Sequence, residues 1–104
     1  MIRRNRQPDT VYLALIEARG IVKIGVTSNI GTRLRQIAWA QRVPAAEVVP
    51  IGIYSGSRLT ERRIHARFAH LRIEGEWFRY TDEIYQFMER LDAGLEHHMY
   101  GRPL

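Results

Sequence analysis

Residues 10–27 read Thr-Val-Tyr-Leu-Ala-Leu-Ile-Glu-Ala-Arg-Gly-Ile-Val-Lys-Ile-Gly-Val-Thr, and the fold turns on how they are read. Val11 to Glu17 and Ile21 to Val26 are both rich in β-branched and apolar residues. Ala18-Arg19-Gly20 between them suits a short turn with glycine in the left-handed region. The stretch therefore predicts a β-hairpin. Downstream, Thr27-Ser28-Asn29 is a cluster of helix-capping residues. A helix follows, with Leu34, Ile37 and Ala38 as its apolar stripe, and Pro44 ends the segment. Val48 to Tyr54 is a third strand candidate, and its internal Pro50 predicts an edge position or a bulge.

Ser57 is placed to cap a second helix running to about Leu71, with Ile64, Phe68 and Leu71 on one side. Glu74-Gly75-Glu76-Trp77-Phe78 reads as a compact turn carrying two large aromatics. Thr81 opens a third helix, with Asp82 and Glu83 where the helix dipole favours acid and Ile84, Phe87, Met88 and Leu91 at helical spacing. The order β-β-α-β-α-α predicts an α+β fold: a small three-stranded antiparallel sheet with flanking helices. Residues 1–9 read as a basic flexible arm, 10–96 as one domain and 97–104 as a frayed tail.

Composition bounds the function. A chain of 104 residues and 12.2 kDa is the size of one domain, and 45% hydrophobic with 26% charged residues is ordinary for a folded one. Cysteine is absent, which excludes disulfides, thiolate metal sites and cysteine nucleophiles. No apolar run is long enough to span a bilayer or to serve as a signal peptide, so the expected compartment is the cytoplasm. The net charge is +5, and fifteen of the sixteen basic residues are arginine, with Lys23 the only lysine. Arginine grips phosphate in a two-pronged way that lysine cannot. Residues 57–72 hold five arginines and one glutamate. Arg58, Arg62, Arg63 and Arg67 there, with Arg35 on the first helix, are the candidate nucleic-acid contacts, and a solvated surface is the plainer alternative for them. Arg3, Arg4 and Arg6 add charge to the arm.

Glu61 is the informative anomaly. A carboxylate on an apolar helical stripe must be ion-paired, bound to a metal or lining a cleft. Magnesium can be held by one carboxylate together with waters and substrate phosphate. His65 stands one turn later, as a proton carrier or as a half-buried histidine bonded to backbone. Arg33 lies at the edge of its helix stripe, directed toward the sheet, where it can stabilise phosphate charge or pair with an acid. Tyr12 and Lys23 lie on neighbouring hairpin strands; either is a proton-handling candidate, or a core aromatic and an exposed strand residue respectively.

Together these residues resemble the GIY-YIG nuclease superfamily, most closely its short phage-type DNA-binding and meiotically up-regulated branch. Thr10-Val11-Tyr12 stands where the family has Gly-Ile-Tyr, and Lys23-Ile24-Gly25 stands where it has Tyr-Ile-Gly, eleven residues after Tyr12. Arg33 follows Lys23 by ten residues, as the family's catalytic arginine does. Lys23 to Thr27, Glu61 to His65 and Gly75 to Phe78 match the branch patterns Lys-Ile-Gly-x-Thr, Glu-x-x-x-His and Gly-Glu-Trp-Phe. The resemblance runs from about Thr10 to Phe87. It implies divalent-metal-dependent phosphodiester hydrolysis on DNA, with RNA as an alternative substrate. One Mg2+ or Mn2+ would be held by Glu61, Arg33 would stabilise charge, Tyr12 would orient or deprotonate water, and Lys23 or His65 would carry protons. The chain departs from the family at Lys23, at Ile37 where a histidine is usual, and in having no asparagine beyond Asn5 and Asn29. The alternative reading is a DNA-binding module with weak or lost catalysis.

Overall fold

The computed structural model describes residues 9–104. Residues 1–8 of the basic arm, with Arg3, Arg4 and Arg6, lie outside the described residues. The first hairpin forms as its sequence predicts. Strand β1 (Thr10–Ile16) pairs antiparallel with β2 (Ile21–Thr27), and Gly20 closes the turn at φ 62°. Helix α1 (Ile30–Gln41) starts at Asn29, whose side chain accepts from the Thr32 amide. Strand β3 (Val49–Ser55) pairs antiparallel with β1 at the sheet edge, and the register shifts between Leu13 and Ala14, where Pro50 lies opposite. Proline has no amide to give to a ladder, so edge and bulge both follow from that one residue.

Helix α2 (Arg58–Arg67) is held by a capping box between Ser57 and Thr60. It ends earlier than the sequence suggests, and a short 3-10 turn covers Ala69–Leu71. Helix α3 (Asp82–Asp92) starts at Thr81, whose hydroxyl makes no capping bond.

The expected three-stranded sheet is corrected to five strands in the order β3-β1-β2-β5-β4, still within an α+β fold. The additional pair is β4 (Arg72–Glu74) and β5 (Trp77–Arg79), joined through Gly75 at φ 54°. The stretch that reads as a compact turn is thus the tip of a second hairpin, and β5 pairs with β2 from Ile21 to Lys23. Strands of three residues are too short to display an alternating pattern.

The sheet separates two apolar layers. β1 is buried on both faces, and its alternate residues point opposite ways. Tyr12, Ala14 and Ile16 pack with Ile37 and Ala38 of α1. Val11, Leu13 and Leu15 pack with Ile64 of α2, with Phe68 at its C-terminal cap, and with Ile84, Phe87 and Leu91 of α3. The C-terminal residues, expected to fray, lie along the open edge of β3. The Ser55 amide donates to the Arg102 carbonyl at 2.7 Å and the Leu104 amide to the Ile53 carbonyl at 3.1 Å. Among the described residues no helix is long and apolar enough to cross a membrane.

Candidate functional site

Tyr12 is fully buried in β1, with its ring lying over Gly25 of β2. A β-carbon at Gly25 would stand 2.5 Å from the phenolic oxygen, so the absence of a side chain there is what admits the ring. Arg33, in the first turns of α1, donates from Nη1 to the Tyr12 hydroxyl in a long contact of 3.5 Å and from Nε to Gln36 Oε1 at 3.2 Å. Burial pushes the Tyr12 pKa above its ordinary 10.0, the Arg33 contact pulls it back, and the carboxylates of Glu76 and Glu61 push it up again.

Glu61 is the second helix's contribution. It is 5% exposed, and its Oε2 is buried with no hydrogen-bond partner among the described residues. No salt bridge to it occurs there either. Its pKa is raised above 4.5, first by burial and then by the charge of Glu76, while His65, Arg58 and the Val26 amide pull it down. A buried carboxylate left half-satisfied is costly to stability, so this arrangement fits a site whose missing partner is a cation. Among the described residues no cluster of three or more acidic, histidine or cysteine ligands exists. The donor set therefore suits a hard ion that completes its shell with water and phosphate oxygens, and it does not suit an all-protein cage.

Arg33 and Arg58 line a polar recess of about 230 Å3 with Asp9, Val26, Thr27 and Ser28. Lys23 lies 3.6 Å from Glu76 Oε1 and 5.5 Å from the centre of the Trp77 ring. The second acid near the site is thus tied to Lys23.

His65 is placed differently from a free proton carrier. Its Nε2 lies 2.7 Å from the Ile24 carbonyl, and Arg72 Nη2 lies 3.3 Å from Nδ1. The Ile24 carbonyl can only accept, so it takes the Nε2 proton, and the Arg72 guanidinium lies against Nδ1. The ring packs on Phe78 at 4.9 Å. His65 thereby ties α2 to β2 beside the site. The remaining predicted contacts divide. Arg35 is exposed and folds back to Thr32 Oγ1 at 3.3 Å; Arg62 is exposed and Arg63 half-buried. Arg67 is turned away from this group. It forms a two-pronged ion pair with Glu96 at 3.0 and 2.9 Å, and its guanidinium lies over Phe87 at 4.5 Å and Tyr100 at 5.2 Å. Sequence reasoning missed the Arg72 bond to His65 and the Arg67 clamp because both depend on residues brought close only by folding.

Fold and site together define an α+β domain in which a tyrosine, an arginine and an unsatisfied buried carboxylate converge beside a basic recess. The chain belongs to the T5orf172 domain family, which matches it over residues 9–92 and is associated with nuclease-like and DNA-binding domains. No curated protein and no solved structure matches the chain.

Proposed function

We propose that this protein acts on DNA as a nuclease of the GIY-YIG type, hydrolysing phosphodiesters with one Mg2+ or Mn2+. The observation that carries this reading is the unsatisfied Oε2 of buried Glu61, beside Tyr12 and Arg33. Bound at Glu61, the metal would supply Lewis-acid stabilisation of the phosphate and a more acidic water. The chain's own residues do the rest. Arg33 and Arg58 hold the scissile phosphate in their recess and offset its growing charge. Burial keeps the Tyr12 phenol protonated near neutrality, so it orients water through its hydroxyl. Lys23, held by Glu76, is the basic group nearest in register to Tyr12 on the same sheet face.

A second reading, a DNA-binding module without catalysis, is favoured by one specific feature. Ile37, at the family's histidine position, is buried in the α1 layer, and His65 has both ring nitrogens engaged. The deciding experiment incubates plasmid and branched DNA with the protein, with Mg2+, Mn2+ or chelator, alongside Glu61→Ala. Metal-dependent nicking that disappears in the variant is expected. Equal cleavage by Glu61→Ala would overturn the assignment. Salt-sensitive DNA binding without cleavage would establish the second reading.

A further inference from the structure

Trp39 is the most exposed large apolar residue among the described residues. It is 87% exposed on α1, on the side opposite the stripe that packs on the sheet. At about 100° per residue, Arg35, Trp39 and Arg42 fall within about 60° of one another on that helix. Arg35 lies one turn before the indole. Arg42 follows it as the helix cap, at φ 57°, the only non-glycine residue with positive φ among the described residues. Glycine takes that conformation more readily; arginine there sets a charge beside the indole. A recess of about 350 Å3 opens against the ring, lined by Ala38, Trp39, Arg42 and Val43. Helix α1 contains no acidic residue.

A row also connects this platform with the site. Arg33, Gln36, Trp39 and Arg42 follow one another at three-residue steps, each turning about 60° around the helix, so the row passes from the edge beside the sheet round to the exposed face. Arg33 contacts both Tyr12 and Gln36. The row begins at the phosphate recess and ends at an open aromatic face between two guanidinium groups. An aromatic face flanked by cations fits an unpaired nucleobase with its phosphates on either side. In an intact duplex the base faces are already stacked on one another and offer the indole nothing.

We propose that Trp39, with Arg35 and Arg42, is a stacking platform for an unpaired base of DNA whose backbone runs on to the Arg33 recess. The inference rests on the DNA reading above and adds to it a preference for single-stranded or locally opened DNA. The test uses the full chain in chelator, so that no strand is cut. A fluorescently labelled single-stranded oligodeoxynucleotide, a duplex of the same sequence and a matched oligoribonucleotide are titrated with wild type, Trp39→Ala and Trp39→Phe. Trp39 carries none of the core, so both variants fold. Single-strand affinity is expected to fall about ten-fold in Trp39→Ala and to be largely retained in Trp39→Phe, with duplex affinity unchanged. Quenching of tryptophan emission by the single strand is expected in wild type and lost in Trp39→Ala, leaving the Trp77 background. Unchanged single-strand affinity, or equal losses for single strand and duplex, would overturn the platform. Tighter binding of the oligoribonucleotide would overturn the choice of DNA. If wild type nicks plasmid with metal while Trp39→Ala binds single strands normally, the platform fails and the nuclease reading stands. If wild type binds no nucleic acid, both fail.

Discussion

The Tyr12 ring occupies the space above Gly25, with the phenolic oxygen 2.5 Å from where a β-carbon would stand. The glycine of the Lys23-Ile24-Gly25 motif thus serves the tyrosine of the preceding strand. Tyr12 is fully buried and has no room to swing aside. Gly25→Ala is expected to destabilise the fold by about 1–3 kcal/mol through overpacking. At about 4–8 °C per kcal/mol for a domain near this size, the loss shows in thermal denaturation. The displaced hydroxyl also leaves Arg33, so on the proposed nuclease reading cleavage falls further than the folded fraction does. An alanine variant with unchanged melting temperature would refute the close approach.

Buried Glu61 costs stability near neutrality. Its folded pKa is raised, so the folded chain holds this proton more tightly than the unfolded chain. Stability therefore falls as pH rises from about 4.5 through the raised value, and the cost is fully present above it. Glu61→Gln removes the buried charge. It is expected to stabilise the protein by about 1 kcal/mol near neutrality, with the gain vanishing at pH values where Glu61 is protonated. Melting curves across pH measure this directly. On the proposed metal role of Glu61, Mg2+ or Mn2+ is expected to raise the melting temperature of wild type and not of Glu61→Gln. A variant less stable than wild type at pH 7 would count against an unsatisfied carboxylate.

These relationships differ in how far the sequence reveals them. The first hairpin is legible because two apolar runs flank a glycine at a turn, and the edge position of β3 because Pro50 interrupts its strand pattern. Glu61 stands out because a carboxylate on an apolar stripe has few acceptable environments. The second hairpin is not legible: three residues per strand give no periodicity, and its pairing to β2 spans some fifty residues of chain. Arg67 is hidden for a related reason. It belongs to the same run of arginines as Arg58 and Arg62, and only the fold brings Glu96, Phe87 and Tyr100 around it.

That difference among the arginines is measurable through salt. Each phosphate contact contributes about one unit to the slope of log affinity against log salt. Arg58 lines the recess with Arg33, and Arg62 is exposed on the same helix. Arg58→Ala and Arg62→Ala are each expected to lower the slope by about one unit on duplex DNA. Arg67→Ala is expected to leave it unchanged. A slope that falls for Arg67→Ala and holds for Arg58→Ala would reverse the assignment of the binding face.

Arg67 should register instead in stability and in the C-terminal segment. Its ion pair with Glu96 holds that carboxyl below 4.5, with Arg90 assisting at 3.2 Å. A depressed carboxylate pKa contributes stability that is present above the unfolded value and lost as pH falls through the folded one. The same clamp positions Tyr100 and the residues that follow it along β3, where the Ser55 amide donates to Arg102. Arg67→Ala breaks a two-pronged ion pair and removes the cation over Phe87, so a loss of about 1–3 kcal/mol is expected near neutrality. Hydrogen exchange at the Ser55 amide is expected to speed up more than exchange at the β1–β2 pairs, since releasing the tail opens only the β3 edge. In acid the gap between wild type and variant should narrow, because protonated Glu96 no longer holds Arg67 in wild type, while the cation over Phe87 keeps part of it. Uniformly faster exchange across the sheet would show Arg67 acting on the whole core, and the local clamp would be wrong.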